Sequence, residues 1–377
     1  MVGGGPGAFI GAVHRLAAEM DREFCLVAGA FSADPAKSRA MGEELGLDPD
    51  RVYGSWAAML EKEAVLPEDQ RIHAVAIVTP NHVHHAPAIA ALQAGLHVIC
   101  DKPLTISSAL AEEMRLAVES SGKVFALTHN YTGYPMVREA RELIASGALG
   151  KVRKVYAEYF QGWLADAVEE SGQKQADWRT DPARSGPGGS LGDIGTHAFN
   201  LLEHVTGLEV VRLQGKVTTF VEGRRVDDDA MTLVEMNNGA NGTICCSQVC
   251  VGQENSLRLR VFGSEGSLAW AQEKPNDLQV WRKDGPLEIR RTANAYLSPG
   301  AQSLGRIPAG HPEGYLEGFA NIYGSFAAAI RGEAQIPCAF PTVEDGARGV
   351  RFIEAVLSSA KGGGSVVEFE DGFPPAL

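Results

Sequence analysis

The sequence predicts an N-terminal α/β domain with a doubly wound parallel sheet, followed by an α+β domain with a large, mostly antiparallel sheet. The first third alternates short apolar runs with amphipathic helical stretches, which is typical of parallel strands buried on both faces. The remainder contains extended segments joined by glycine turns, which is typical of antiparallel pairing. Because 377 residues exceed what one core usually organises, we expect two domains, at 1–129 and 130–377.

Each predicted element follows from its own pattern. In the first domain we expect strands over 26–31, 74–79, 96–100 and 124–128, and helices over 83–94 and 107–121. In the second domain we expect a helix near 134–146, a strand over 151–160, a long polar loop over 161–190, a helix near 194–206, extended segments over 210–221, 230–239, 242–251 and 257–270, and closing helices over 313–331 and 342–360.

The charge balance excludes several classes of partner. The 34 basic and 47 acidic residues give a net charge of −13, which repels nucleic acid and anionic lipid surfaces. No apolar run reaches the roughly 18 residues of a membrane span, and no basic segment precedes an apolar one at the N-terminus. We therefore expect a cytoplasmic protein that binds neither nucleic acid nor membrane.

The cysteines indicate a reducing compartment. The six cysteines form no CxxC pair, and no histidine lies at zinc-finger spacing from them. Cys245, Cys246 and Cys250 fall in a predicted strand, so we interpret them as ordinary, mostly buried thiols, with a reactive cluster as the alternative. The sequence predicts no metal site.

The N-terminus, MVGGGPGAFIGAVHRLA, is a glycine-rich turn that leads into an amphipathic helix. Backbone N–H groups and the helix dipole at such a junction can hold a pyrophosphate, as in the Rossmann fold, and the candidate contacts are Gly3, Gly5, Gly7 and Gly11. A plain turn is the alternative, but the strand-like runs that follow favour cofactor binding. Since only Met1 and Val2 precede the glycines, the first strand either begins upstream of Met1 or is very short.

The second predicted strand normally ends in an acid that binds the adenosine ribose. Here it ends at Ser32, and Asp34 is better placed to cap the following helix. Ser32 together with Lys37 or Arg39 would instead suit a 2′-phosphate. The sequence therefore leaves NAD and NADP both open.

Two segments suit the oxidation of an alcohol, which needs a proton acceptor and a cation at one oxygen. Lys102 follows the strand at 96–100, at the sheet edge where open α/β folds bind ligands. Asp193 and His197 lie four residues apart at a predicted helix start, hence on one face. A surface lysine, and a core histidine with Asp193 as a helix cap, are the alternative interpretations.

Four motifs then occur in order: TPNHVHHAPA (79–88), CDKP (100–103), WRTDPARSGPGGSLGDIGTH (178–197) and HPEGYLEGFANIY (311–323). With them the chain resembles, over nearly its whole length, the Gfo/Idh/MocA oxidoreductase family, which comprises glucose–fructose oxidoreductase, inositol dehydrogenase and their relatives. The resemblance implies a catalytic triad of Lys102, Asp193 and His197. The chain departs from the family pattern at three places. Asp101 replaces the glutamate before the lysine, the glycine loop is longer, and Ser32 replaces the acid that binds the ribose.

The resemblance also implies further contacts. Asn81 and His84 would lie near the cofactor, and Asn130 and Tyr131 beside nicotinamide or substrate. Together with the residues above, the expected cofactor-binding set is Gly3, Gly5, Gly7, Gly11, Ser32, Lys37, Asn81, His84, Asp101 and Lys102. The expected substrate-binding set is Asn130, Tyr131, Trp178, Arg179, Asp193, His197 and His311.

These observations predict an NAD(P)-dependent dehydrogenase that acts on a secondary hydroxyl of a sugar, glycoside or cyclitol, or reduces the matching ketone. His197 would take the hydroxyl proton, Lys102 would hold the oxygen, and Asp193 would position ring hydroxyls or His197. A glycoside-cleaving enzyme with retained NAD and a non-catalytic dinucleotide sensor are the alternatives. An antiparallel sheet with one uncovered face also predicts a homodimer or homotetramer.

Overall fold

A computed structural model of the chain describes residues 1–333 and 340–369. The chain divides into two compact units. The first comprises Met1–Thr105, Ala109–Asn130 and the described part of Leu316–Ala347, and the second comprises Ile106–Ser108, Tyr131–Tyr315 and the described residues from Arg348 onward. The segment from Leu316, which the predicted boundary assigns to the second domain, lies in the first unit.

Aromatic packing explains why that segment joins the first unit. The ring of Tyr323 packs edge-on against His14 and Phe24, with ring centroids 5.8 and 5.6 Å apart. Phe326 stacks on Phe24 at 5.7 Å. Such contacts between residues distant in the sequence cannot be read from a boundary in composition.

The elements are named in chain order. The strands are β1 (Val2–Gly3), β2 (Ala74–Val78), β3 (His97–Cys100), β4 (Phe125–Leu127), β5 (Val152–Phe160), β6 (Val210–Thr218), β7 (Asp229–Met236), β8 (Asn241–Ser247), β9 (Ser256–Gly263), β10 (Gly266–Ala271), β11 (Asp277–Arg282), β12 (Leu287–Arg291) and β13 (Val367–Glu368). The α-helices are α1 (Phe9–Met20), α2 (Pro35–Glu44), α3 (Trp56–Ala64), α4 (His85–Gln93), α5 (Ser108–Ser121), α6 (Pro135–Ala145), α7 (Lys174–Arg179), α8 (Pro182–Ser185), α9 (Thr196–Thr206), α10 (Pro299–Gln302), α11 (Tyr315–Ile330) and α12 (Val343–Lys361).

The sheet of the first unit is parallel, in the order β1-β2-β3-β4. Its central strand β2 consists of alanine and β-branched residues, and the neighbours Ile77 and Val78, which point to opposite faces, are at most 4% exposed. Side chains on both faces are thus covered, as a doubly wound sheet requires. The strands predicted over 74–79, 96–100 and 124–128 and the helices predicted over 83–94 and 107–121 are confirmed as β2, β3, β4, α4 and α5.

The strand predicted over 26–31 is wrong. Only Gly29 and Ala30 pair, in isolated bridges to Val52 and Val2. The neighbouring strand β1 is two residues long, so residues before Ala28 have no ladder of hydrogen bonds to join. A β-rich composition is insufficient where the adjacent strand supplies no partners.

The second unit contains a nine-stranded sheet in the order β12-β11-β10-β9-β5-β8-β7-β6-β13. All neighbours are antiparallel except β5 and β8, which run parallel. The segments predicted over 151–160, 210–221, 230–239, 242–251 and 257–270 are confirmed as β5 to β10, and the helices predicted near 134–146 and 194–206 as α6 and α9. The sequence interpretation missed β11, β12 and β13.

The loop predicted over 161–190 is only partly irregular. It contains a 3₁₀ turn (Val168–Ser171) and the short helices α7 and α8. Polar composition suggested a loop, but Gln173 and Asp181 accept hydrogen bonds from backbone N–H groups at the starts of α7 and α8. Capping by such side chains stabilises helices too short to be recognised by apolar periodicity.

One face of the large sheet is exposed. On β7 the side chains of Ala230, Thr232 and Val234 are buried, whereas Met231 and Leu233, which alternate with them, are both 56% exposed. The alternation places two apolar side chains on the solvent-facing side of a strand.

Several absences hold for the part of the chain that the structure describes. No helix there combines the length and apolar character needed to cross a bilayer. Within the same residues no group of three or more His, Cys, Asp or Glu side chains is placed to hold a metal ion. The thiols of Cys25, Cys100, Cys245, Cys246 and Cys250 are free, and Cys338 lies outside the described residues.

A buried arginine holds the loop that follows β5. The Arg224 side chain is 1% exposed and pairs with both carboxylate oxygens of Glu169 at 2.9 Å. It also donates to the backbone oxygens of Leu164 and Asp166, at 2.9 and 3.0 Å, and to Asp228 at 3.3 Å. Every side of the guanidinium is satisfied, which is the condition under which a buried charge is tolerated.

We expect Arg224→Met to destabilise the protein by about 3–5 kcal/mol, because the Glu169 and Asp228 carboxylates would lose their buried partner. Urea unfolding followed by tryptophan fluorescence measures this loss. Arg225→Met is the matched control: its side chain is 64% exposed and pairs with Asp181, so its loss is expected to stay below about 1 kcal/mol. Equal stabilities for the two variants would contradict the assignment.

Candidate functional site

The glycine loop of the first unit brings three backbone segments into close contact. A Cβ atom on Gly11 would lie 2.4 Å from Cα of Gly4, and one on Gly5 would lie 2.6 Å from the carbonyl oxygen of Phe31. Gly3 has a φ of +87°, a conformation that side chains other than glycine rarely adopt. Glycine at these positions therefore lets the loop and α1 approach each other.

This loop fits a dinucleotide phosphate. Helix α1 begins at Phe9 without a side-chain cap and without an acidic residue in its first turn, so its N–H groups face the loop with no competing anion. Two polar atoms of the first unit, Oγ1 of Thr79 and Nδ2 of Asn130, are buried without a hydrogen-bond partner among the described residues. Buried polar atoms of this kind are typical of a surface that binds a polar ligand.

The residues expected at the ribose lie beside the loop. A Cβ atom on Gly5 would be 3.6 Å from Cβ of Ser32. The Ser32 hydroxyl accepts a hydrogen bond from the N–H of Asp34. Asp34 caps α2 as predicted, accepting from the N–H groups of Ala36 and Lys37, and the side chains of Lys37 and Arg39 are exposed.

Lys102 follows β3 in a segment held by buried neighbours. His84, in the turn before α4, contacts the carbonyl oxygens of Thr79 and Pro103 through its two ring nitrogens, both at 2.9 Å. Burial lowers the pKa of His84, and the charge of Asp101 partly opposes this. Asn81, whose side chain is 5% exposed, lies in the adjacent 3₁₀ turn. His84 therefore joins the loop after β2 to the loop that carries Lys102.

Asp193 and His197 lie in the second unit on a widened helical turn. Leu191–Gly195 is a π-helical turn that continues directly into α9, which contains His197. Such turns are frequent at functional sites. The Asp193 carboxylate accepts hydrogen bonds from Nε2 of Gln248 at 2.9 Å and from Nε of Arg179 at 3.3 Å.

Two tyrosines flank His197. The ring of Tyr131 lies edge-on to the imidazole, with centroids 4.9 Å apart, and the ring of Tyr159 is 6.0 Å away. Their hydroxyls are 2.6 Å apart. Burial raises the pKa of Tyr131 to about 12 and that of Tyr159 well above its usual range, so both hydroxyls remain protonated near neutral pH.

A chain of carboxamides connects these groups, and the sequence analysis missed it. Asn255 accepts from Tyr159 at 2.6 Å and from Gln161 at 2.8 Å. Gln161 in turn accepts from Trp163 at 2.9 Å and from Gln248 at 3.4 Å. Gln161 and Gln248 directly follow the parallel strands β5 and β8, and this position at strand ends is the signal that could have found them.

Asp227 was also missed. Its carboxylate accepts from the N–H groups of Gly189 and Leu191, at 2.6 and 2.8 Å, and from the Ser190 hydroxyl at 2.7 Å. Asp227 is 5% exposed, and burial raises its pKa. It therefore fixes the start of the π-helical turn that carries Asp193, although 34 residues separate the two aspartates in the sequence.

Of the remaining expected residues, some contact the Asp193 network and one does not. Trp178 and Arg179 lie on α7, where the guanidinium sits 4.3 Å from the Trp178 ring centroid and reaches Asp193. His311 is exposed in the loop before α11, and its Nδ1 contacts the carbonyl oxygen of Pro308 at 3.0 Å. The second unit thus brings Tyr131, Arg179, Asp193 and His197 into one connected network, and no described contact includes His311 in it.

The doubly wound sheet, the glycine loop and the uncapped helix define a dinucleotide-binding protein. Comparison with protein families agrees: residues 1–129 match the oxidoreductase family with an NAD-binding Rossmann fold, and residues 137–269 match the GFO/IDH/MocA C-terminal domain. The chain belongs to the Gfo/Idh/MocA family and is an NAD-binding oxidoreductase.

Three relatives illustrate the similarity. The uncharacterized oxidoreductase YfiI of Bacillus subtilis (strain 168) is 35% identical over 98% of this chain and 96% of its own. An inositol dehydrogenase homolog from Azotobacter vinelandii, solved with NAD+, is 40% identical with a TM-score of 0.93, covering 98% of this chain and 96% of that one; a structure with the same description but with NADH and myo-inositol is 37% identical, with the same coverage and a TM-score of 0.90. Levoglucosan dehydrogenase of Pseudarthrobacter phenanthrenivorans is 29% identical over 82% of this chain and 83% of its own.

We expect Gly11→Ala to weaken NADH binding by about tenfold or more, because the added methyl group would force α1 away from Gly4, and overpacking of this kind costs about 1–3 kcal/mol. Titration of NADH fluorescence measures the dissociation constant. Gly324→Ala, inside α11 of the same unit, is the control, since a Cβ there meets no atom within 4 Å. Unchanged binding in Gly11→Ala would show that this loop does not hold the dinucleotide.

Proposed function

We propose that this oxidoreductase transfers a hydride between nicotinamide and a secondary hydroxyl or ketone of a sugar, glycoside or cyclitol. The observation that carries the proposal is the polar network around His197. A carboxylate and three carboxamides, from Asp193, Gln161, Gln248 and Asn255, offer donors and acceptors at fixed positions beside two tyrosine rings. Fixed polar groups bordered by aromatic rings suit a ligand that carries several hydroxyls.

The relatives support the same substrate class. The Azotobacter vinelandii homolog was solved with myo-inositol, and a further relative is a levoglucosan dehydrogenase. Both compounds are compact and polyhydroxylated. The proposal extends this class to the present chain, without choosing one sugar or cyclitol.

Each reactive residue has a distinct role in the proposal. His197 takes the proton of the reacting hydroxyl, and Lys102 stabilises the negative charge that develops on the same oxygen. Asp193, held by Gln248 and Arg179, orients His197 or binds a neighbouring hydroxyl. The bound nicotinamide supplies the hydride acceptor. The tyrosines beside His197 limit its rotation and exclude water from one side of the ring.

The test is the absorbance change at 340 nm with NAD or NADP and a panel of hexoses, disaccharides, anhydrosugars and inositols. Reduction of one cofactor by one substrate class supports the proposal and identifies both. Cofactor that stays bound and is reoxidised within each turnover, with cleavage of a glycoside, would instead identify a lyase or hydrolase. Tight dinucleotide binding without turnover across the panel would favour a sensor.

With the substrate identified, His197→Ala and Lys102→Met should each lower kcat by at least about 100-fold, the range expected for loss of a general base or of charge stabilisation. NADH binding should persist in His197→Ala. His73→Ala and Lys62→Met, which alter exposed side chains of the first unit, are the controls and should retain turnover. Near-normal turnover in both reactive-site variants would refute the mechanism.

We further propose that the protein assembles as a homodimer or homotetramer through the exposed face of the nine-stranded sheet. Met231 and Leu233 stand side by side on this face, and Phe262 on β9 is 38% exposed. Its ring lies 6.1 Å from that of Tyr156 on the neighbouring strand β5. Apolar side chains spread over several adjacent strands are typical of a surface that pairs with a copy of itself.

We expect light scattering at micromolar concentration to give the mass of a dimer or tetramer, and the double variant Met231→Glu/Leu233→Glu to reduce it, because burial of two carboxylates in the interface is unfavourable. Val65→Glu is the control, since Val65 is 82% exposed on the first unit. A monomeric native protein would refute the assembly.

A further inference from the structure

A buried histidine in the first unit is not explained by cofactor binding. His14 lies on α1, three residues after Gly11, and its side chain is fully buried. Its Nδ1 is 2.8 Å from the hydroxyl of Tyr323 on α11. The rings of Phe319 and Tyr323 meet the imidazole edge-on, with centroids at 5.1 and 5.8 Å. These contacts hold the ring in one orientation.

That orientation directs the second ring nitrogen towards Asp101. Nε2 of His14 lies 3.9 Å from Oδ1 of Asp101 and has no hydrogen-bond partner among the described residues. The same carboxylate oxygen accepts a hydrogen bond from the Thr128 hydroxyl at 3.0 Å. At 3.9 Å the interaction with His14 is one of charge and dipole, which a small movement would convert into a hydrogen bond.

We propose that His14 is a positioning residue for Lys102: it acts through the carboxylate of Asp101, and Tyr323 determines which nitrogen of His14 faces that carboxylate. The inference rests on the proposed function, in which Lys102 contacts the reacting oxygen. His14 itself is not assigned contact with substrate or cofactor.

The hydroxyl of Tyr323 sets the tautomer. Burial raises the pKa of Tyr323, and the charge of Asp101 raises it further, so the hydroxyl keeps its proton. When this hydroxyl donates to Nδ1, the imidazole proton resides on Nε2 and points at Asp101. Tyr323→Phe would remove the donor and leave both tautomers of His14 open.

Several titratable or charged side chains surround Asp101: His14, His84, Lys102 and His129. Burial raises the pKa of the Asp101 carboxyl. His14 lowers this pKa most, followed by Lys102 and His84, and together they outweigh the effect of burial, so the pKa is lowered overall. The nearby His129 is uncharged near neutral pH, because burial lowers its pKa to about 3, with Lys102 adding to the shift and Asp101 opposing it. The carboxylate is therefore ionised under the conditions in which it would support Lys102.

The direction of the pH effect follows. A carboxyl whose folded-state pKa is lowered stays ionised down to a lower pH, and loss of His14 removes one cause of that lowering. In His14→Phe, which keeps a ring of similar shape, Asp101 should titrate at a higher pH than in the native protein. Tyr323→Phe should move the titration of Asp101 in the same direction by less. Because Lys102 would lose its positioning, kcat should fall in His14→Phe.

The test measures the titration of Asp101 directly, by NMR of the NAD-bound full-length protein labelled with ¹³C at the aspartate carboxyls, with Asp101→Asn to assign the signal. His14→Gln, which restores an N–H donor, should recover part of the shift. Tyr53→Phe is the control: it deletes a buried hydroxyl bonded to Glu63 in the same unit and should leave Asp101 unchanged.

The outcomes separate this inference from the proposed function. An unchanged titration of Asp101 in His14→Phe, or an unchanged kcat, would overturn the positioning role. An upward shift of the Asp101 titration together with a lower kcat would support it. Normal turnover in Lys102→Met would instead refute the catalytic role of Lys102, whatever the titration of Asp101.

Discussion

A carboxylate that is taken out of water must be surrounded by donors or cations, and this constraint organises the candidate site residues of each unit. In the first unit Asp101 is met by Thr128, His14 and His84, which come from three different segments. In the second unit Asp227 collects the N–H groups and the hydroxyl that begin the turn before Asp193. Each carboxylate links segments that are far apart in the sequence.

The parts of the fold that depend on local pattern could be predicted from the sequence. Strand β2 is recognisable because Ala74–Val78 is uniformly apolar and rich in β-branched residues, and the β7–β8 hairpin because Asn238-Gly239 supplies the positive φ of its turn. The strand expected over 26–31 is also uniformly apolar but does not form, because its pairing depends on a partner only two residues long. An apolar composition indicates that a segment is buried, whereas strand formation also depends on the strand beside it.

In the candidate site, too, some residues are recognisable from local pattern and others depend on distant partners. Lys102, Asp193 and His197 can be proposed from the sequence because their side-chain chemistry and local motifs suit proton and charge transfer. Asp227, Gln248 and Tyr323 cannot, because what matters in each is a partner that lies 36 to 309 residues away in the chain. A positioning residue is defined by its contacts, and single-sequence reasoning has no access to contacts.

The parallel pairing of β5 with β8 has a consequence for how such a site can change. In a sheet that is otherwise antiparallel, this parallel pair makes two neighbouring strands end at the same edge. The chain therefore leaves both strands at neighbouring points, where Gln161 donates its N–H to the carbonyl oxygen of Ser247. The segments that follow, 161–171 and 248–255, lie beyond the ladder. Apart from Leu164, Asp166 and Glu169, which bind the buried Arg224, residues of these segments can change without shifting the register of a strand. A new ligand preference on this scaffold can therefore arise from substitutions at one edge of the sheet.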